Sequence, residues 1–176
     1  MSSTQNIFGL IDLRSFSNIW FWMMLALLWS SLSHYVMGVP FDMVTRARRH
    51  GGAAMEDLEA VVRAQVHRRV HIAEVSGQWL VAVTSAGLTM LALLGFGYGV
   101  QFGQALFLLA APATLVGLLS VRTARRLHAA PLTGEPLCAA LGRQRFHVQL
   151  LGVLTIFLTA MWGVYRLMTA SVLGHV

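Results

Sequence analysis

The chain has 176 residues, of which 56% are hydrophobic and only 11% are charged. Because an ordinary soluble domain has roughly 25% charged residues, this composition excludes such a domain and predicts an integral membrane protein. Thirteen arginines, no lysine and seven acidic residues give a net charge of +6 with neutral histidines, but we exclude nucleic acid as the partner because apolar segments of membrane-spanning length separate the cations. A single cysteine, Cys138, excludes an internal disulfide and a cysteine-only metal or iron–sulfur site.

Four apolar segments are each long enough to cross about 30 Å of hydrocarbon as a helix. They are residues 18–37, 73–97, 102–121 and 148–168. The predicted fold is therefore an all-α, integral membrane four-helix bundle that forms a single membrane domain. Before the first span, the segment around Phe16 is expected to lie on the outer surface as a short amphipathic stretch.

The connection between the first and second spans, residues 38–72, is basic. Its first part is expected to form a short helix between Pro40 and Gly51. A second helix is expected to start at Ala53 and to run unbroken into the second span, so that a helix of about forty residues extends into the cytoplasm. An apolar i, i+4 stripe on this helix requires a packing partner, either residues 41–44 or another protein. The stripe consists of Leu58, Val62, Val66 and Val70.

The second and third spans are joined by a short uncharged turn, in which Gly95, Gly99 and Gly103 are expected to admit close backbone contact. Small residues, among them Ala86 and Ala113, are expected to bring these two spans close together. Pro112 is expected to kink the third span.

The connection between the third and fourth spans, residues 122–147, is also basic. It is expected to form a short helix starting near Pro136, and it leaves no room for a soluble domain. The two basic connections hold eleven of the thirteen arginines, so the positive-inside bias predicts that both are cytoplasmic and that both termini are periplasmic. Nine of these arginines are expected to bind an acidic partner or anionic lipid: Arg46, Arg48, Arg49, Arg63, Arg68, Arg69, Arg122, Arg125 and Arg126.

Histidines near the cytoplasmic helix ends raise the alternative of a haem b held between helices by two imidazoles. The candidate axial ligands are His34 with either His71 or His147. Apart from this alternative we predict no cofactor, no metal site and no catalytic residue.

Two other polar features lie close to the spans. Glu74 is expected to pair at the interface with Arg69, Arg145 or a lipid amine. Three serines near His34 are interpreted as a polar helix stripe whose hydroxyls bond to the carbonyls of their own helix.

Five segments give the chain a resemblance, over nearly its whole length, to small four-span bacterial inner-membrane proteins labelled "component of SufBCD complex". They are RSFSNIWFW at 14–22, GVPFDMV with RARRHGG within 38–52, HIAEVSG at 71–77, LGFGYGV at 94–100 and VRTAR at 121–125. The resemblance implies a link with iron–sulfur cluster assembly, in which a membrane protein would act as a dock for soluble machinery.

The predicted function is a non-catalytic accessory or scaffold subunit of a larger bacterial inner-membrane complex. It would dock partners through its lateral helix faces and its arginine-rich cytoplasmic hairpin. The expected partners are membrane lipids, a larger membrane protein complex and a soluble cytoplasmic protein. The alternatives are a haem b- or quinone-handling redox subunit and a small channel or transporter.

Overall fold

The computed structural model describes residues 19–173, which are about 90% helical. Six α-helices follow one another along this part of the chain. They are α1 (Ile19–His34), α2 (Phe41–His50), α3 (Gly52–Val75), α4 (Gly77–Ala92), α5 (Gln101–Ala129) and α6 (Gly134–Leu173). The all-α prediction is confirmed, whereas the amphipathic segment expected around Phe16 lies outside the described residues.

Two short strands, β1 (Tyr35–Val36) and β2 (Val39–Pro40), pair antiparallel between α1 and α2. The two residues of their turn have positive φ angles, 55° at Met37 and 82° at Gly38. A hairpin with two such residues matches the right-handed twist of its strands. Met37 adopts a conformation that is uncommon for residues other than glycine, and its side chain is buried. The chain therefore leaves the first helix three residues earlier than residues 18–37 predicted.

Among the described residues, three helical segments are long and apolar enough to cross a membrane: Gly77–Gly97, Gln101–Ala129 and Gly134–Arg166. The first of them is α4 extended by a π-helical turn, Leu93–Gly97. Helix α1 is also apolar, and the part of it within the described residues has 16 residues, which rise about 24 Å against a hydrocarbon layer of about 30 Å. Three of the four predicted spans thus correspond to helices that are long and apolar enough to cross a membrane. The predicted first span, residues 18–37, is not among them, because α1 ends at the hairpin.

The expectation of one unbroken helix from the first connection into the second span is wrong at a single residue. Helix α3 ends at Val75 and α4 begins at Gly77, with Ser76 at φ −119° and ψ 3°. Serine and glycine are both weak helix formers, which explains why the helix breaks there. Conversely, the short helix expected near Pro136 is continuous with the last span in the 40-residue helix α6.

The two basic connections pack together around one core. We call this part of the molecule the basic end; it comprises the hairpin, α2, α3, the last turns of α5 and the first turns of α6. The apolar stripe of α3 is buried here against α2, α5 and α6, so its packing partner lies within the chain. The core residues are Val36, Met37, Val39, Val44, Ala47, Leu58, Val62, Val66, Val70, Ala124, Leu127, Leu137, Cys138 and Leu141.

Helix α1 packs against α5 and α6 along the apolar part of the molecule. Leu25 and Trp29 form a buried cluster with Val116 and Val148. The Trp29 ring lies directly over Gly152, where an added Cβ would come within 2.8 Å of the ring. Glycine at this position therefore lets α1 and α6 approach closely.

Helix α4 has no buried residue and packs mainly against α5. Ala86 is exposed, and an added Cβ on Gly87 or Gly117 would meet nothing within 4 Å. Ala86, Gly87 and Gly117 therefore do not mediate the close approach that we expected.

The close approach lies instead at the turn between α4 and α5, where Gly95, Gly99 and Gly103 were expected to allow it. The expectation is wrong for Gly99, where an added Cβ would meet nothing within 4 Å. A Cβ on Gly95 would lie 2.7 Å from the Gln104 amide nitrogen, and one on Gly103 would lie 2.9 Å from the Gly95 nitrogen. The buried Gln104 side chain joins three elements, because its Nε2 donates to the Gly95 carbonyl (2.7 Å) and its Oε1 accepts from Trp162 Nε1 (3.1 Å).

Candidate docking site at the basic end

The nine arginines predicted to bind partners or anionic lipid all lie on helices that enclose the core of the basic end. Eight of them are exposed, and Arg69 is half-buried. Because α2, α3, α5 and α6 pack against one another there, the exposed guanidinium groups extend from a folded surface rather than from flexible loops.

Arg48 links two of these helices. Its Nε and Nη2 both donate to Oε1 of Glu135, at 2.8 and 2.5 Å, and so join α2 to the first turn of α6. The hydrogen bond with Glu135, together with its negative charge, raises the pKa of Arg48. Both side chains are more than half exposed, so the pair contributes little to the stability of the fold. Arg48 is therefore less available to a partner than its neighbours Arg46 and Arg49.

Arg69 supports the hairpin from α3. Its Nε donates to the carbonyl oxygen of Met37, 3.2 Å away, and so satisfies an acceptor in the turn. Burial lowers the pKa of Arg69, and the nearby charge of Arg68 lowers it further. The sequence placed Arg69 among the binding residues, whereas the structure gives it a structural contact with a residue 32 positions away.

A cavity of about 210 Å³ lies between α3, the end of α5 and the segment that leads to α6. Its floor is apolar and formed by core side chains, including Val66 and Leu127. Its walls carry Arg63 and His67 from α3 and His128 from α5. The two imidazole rings meet edge to face, with their centroids 5.2 Å apart. The cavity thus combines an apolar floor with walls that carry a guanidinium group and two imidazole rings.

Glu59 lines this cavity as its acidic residue, and its carboxylate accepts a backbone hydrogen bond. Its Oε1 accepts a hydrogen bond from the Gly134 backbone N–H, 2.8 Å away, at the start of α6. A carboxylate at the N-terminus of a helix is favourable, because it pairs with an otherwise unsatisfied N–H and with the helix dipole. Glu59 therefore fixes α6 against α3.

The three histidines proposed as haem ligands are not gathered in this cavity. His34 lines a different one near the end of α1, while His71 and His147 are exposed on α3 and α6. Residues 19–173 contain no group of three or more histidine, cysteine or acidic side chains placed to hold a metal ion. The histidine pair that the structure does form, His67 with His128, was missed because its members lie 61 positions apart in the sequence.

Glu74 is exposed near the end of α3. Within residues 19–173 it forms no ion pair with Arg69 or Arg145, the partners that we expected. Arg69 is engaged by the hairpin carbonyl instead.

Comparisons of the chain with protein-family models, with curated proteins and with solved structures found no match. The resemblance to SufBCD-component proteins therefore stays a prediction, and the role of the basic end rests on its own residues and geometry.

Proposed function

We propose that this chain is a non-catalytic accessory or scaffold subunit of a larger bacterial inner-membrane complex, and that it holds an acidic partner at its basic end. One observation carries the proposal: the basic end is a packed unit with its own apolar core, and it presents eight of the nine candidate arginines to solvent. A surface of this kind is already ordered before it meets a partner, which reduces the entropy lost on binding.

The charge of the basic end favours an acidic partner. Residues 38–75 and 121–147 contain eleven arginines and six acidic residues. Cations close to an anionic membrane or protein surface contribute on the order of 1 kcal/mol each. Complementary charge also raises the rate of association and selects against basic partners.

The partner binds, in this proposal, across the cavity between α3 and α5. Arg63, His67 and His128 stand at its walls, and the floor is apolar. An acidic segment with one apolar side chain fits this arrangement, because the apolar side chain fills the floor while its carboxylates meet the cations. Such a segment belongs to a soluble cytoplasmic partner, the kind that the resemblance to SufBCD-component proteins implies.

The membrane arrangement in this proposal has four helices, with α1 as a short fourth span. Its support is the buried contact of Leu25 and Trp29 with α5 and α6, which are two of the three longer apolar helices. The positive-inside bias then puts the basic end in the cytoplasm and both termini in the periplasm.

The test compares arginines that differ in their structural contacts. We would purify the tagged chain from its host in mild detergent and quantify co-purifying proteins by mass spectrometry. The double variant Arg63→Gln and Arg68→Gln removes two exposed cations from α3, including the one at the cavity wall, without touching the Arg48–Glu135 pair. We expect it to retain at least about tenfold less of an acidic partner, since two such cations together contribute on the order of 2 kcal/mol.

The control variant is Arg166→Gln, which removes a cation near the opposite end of α6, where Arg166 approaches the Gly99 carbonyl. It is expected to retain the partner as the unchanged chain does. If the double variant and the control co-purify with the same proteins in the same amounts, the basic end is not the docking surface.

A further inference from the structure

We propose that a second cavity, at the end of α1, binds the phosphate group of a membrane lipid. The cavity is open and measures about 390 Å³. Its lining residues are Ser30, Ser31, Ser33, His34, Tyr35 and Arg145. This site is separate from the docking cavity between α3 and α5 and does not depend on the proposed partner.

The cavity lies where the apolar helices meet the basic end. Helix α1 ends at His34, and the chain then enters the hairpin. On α6, Arg145 comes one turn before Val148, which belongs to the buried cluster formed with α1. A polar cavity at this level coincides with the headgroup layer of a bilayer if the apolar helices span it.

Arg145 supplies the cation. Its guanidinium carbon lies 3.9 Å from the centre of the Phe41 ring. Within residues 19–173 this side chain has no carboxylate partner and no hydrogen bond, and its Nε is buried without an acceptor. A guanidinium held over a ring keeps its N–H donors in its own plane, where they suit the oxygens of a phosphate. Arg145 is therefore oriented by the protein while its charge remains uncompensated.

The serine hydroxyls of the cavity are also unclaimed. Among the described residues, Thr123 and Thr155 donate to carbonyls one turn earlier in their helices. We expected the same of Ser30, Ser31 and Ser33, but the structure gives them no hydrogen bond within residues 19–173. Hydroxyls can donate to phosphate oxygens, so three such donors beside an arginine form a site suited to a phosphate.

The surface beside the cavity favours a lipid over a free anion. Leu27 and Met24 lie one and two turns before Ser31 on the same face of α1, and both are exposed (62% and 58%). A phosphate bound at the serines would leave the acyl chains of its lipid along this apolar face. Free inorganic phosphate has no apolar group that would contact this surface.

The experiment measures lipid retention by native mass spectrometry after release from nanodiscs that contain phosphatidylglycerol. Arg145→Gln removes the cation of the site. Arg143→Gln removes the same charge two residues earlier, from an exposed side chain that does not line the cavity. We expect phosphatidylglycerol to bind Arg145→Gln about tenfold more weakly, as for loss of a charge-assisted hydrogen bond, and to bind Arg143→Gln like the unchanged chain.

A second variant keeps the proposal testable if the loss of Arg145 disturbs its contact with Phe41. Replacing Ser30, Ser31 and Ser33 together by alanine leaves that contact in place and is expected to weaken phosphatidylglycerol binding several-fold. A parallel arm replaces the lipid by inorganic phosphate in detergent, where we expect no stabilisation against heat.

Equal lipid retention by Arg145→Gln and Arg143→Gln, or unchanged retention by the serine variant, would overturn the site. Stabilisation by inorganic phosphate equal to that by the lipid would overturn the assignment to a lipid.

Discussion

Replacing Gly95 by alanine is expected to force α4 and α5 apart at their turn. The new Cβ would lie 2.7 Å from the Gln104 amide nitrogen and 2.9 Å from the Gly103 carbonyl carbon. Both atoms belong to the backbone of α5, which cannot rotate away as a side chain can. Helix α5 must therefore retreat by about 0.7 Å before the shorter contact reaches the 3.4 Å at which ordinary van der Waals contact begins.

The energetic effect has two parts. Overpacking of this kind costs about 1–3 kcal/mol. The same displacement lengthens the 2.7 Å hydrogen bond from Gln104 Nε2 to the Gly95 carbonyl, and a buried hydrogen bond contributes about 1 kcal/mol net. Alanine returns up to about 1 kcal/mol through its better helix propensity. We therefore expect Gly95→Ala to lower the free energy of unfolding by about 2 kcal/mol.

The assay is unfolding in mixed micelles with increasing SDS, followed by circular dichroism and tryptophan fluorescence. Gly97→Ala is the matched control, because it makes the same change in the same π-helical turn, where an added Cβ meets nothing within 4 Å. The control is expected to unfold like the unchanged chain or slightly later. If Gly95→Ala and Gly97→Ala unfold at the same SDS fraction, the close approach of α4 and α5 does not exist as described.

Two further predictions concern the core and the membrane arrangement. Leu58→Ala leaves a cavity at a fully buried position of the basic end, and we expect it to lower the free energy of unfolding by about 3 kcal/mol in the same assay. Leu80→Ala, at a half-exposed position of α4, is expected to change this free energy little. Similar losses in both variants would contradict the core as described. Cysteines introduced one at a time at Gly97 and Arg126 are expected to be labelled by an impermeant maleimide from opposite sides of the membrane. The buried Cys138 is expected to contribute little background. Labelling of both positions from one side would contradict a spanning α5.

Local sequence patterns predicted the parts of the fold that depend on local chemistry. Three long apolar segments predicted the three helices that are long enough to cross a membrane, and Pro40 and Gly51 marked the ends of α2 correctly. The i, i+4 stripe on α3 identified four core residues before any partner was known. These features depend on helix periodicity and on the backbone preferences of proline and glycine. Both can be recognised from residues that are close together in the sequence.

The remaining features depend on contacts between distant residues. The end of α1 follows from a hairpin whose Met37 adopts a positive φ because its side chain packs into the core. The pair of Arg48 with Glu135 joins residues 87 positions apart. Neither the positive φ of Met37 nor the Arg48–Glu135 pair can be predicted from a local sequence pattern or a motif. The serines of α1 illustrate the same limit, since only the folded chain shows that their hydroxyls lie beside Arg145.

The two hydrogen-bond partners of the Gln104 side chain are synthesised at different times. Its amide N–H is satisfied by the Gly95 carbonyl at the turn between α4 and α5, whereas its oxygen accepts, within residues 19–173, from Trp162, which is synthesised 58 residues later. In hydrocarbon, an unpaired polar group costs several kcal/mol. If α4 and α5 enter the membrane first, the Gln104 oxygen therefore lacks its Trp162 donor until α6 packs against them, and this unmet acceptor favours the docking of α6.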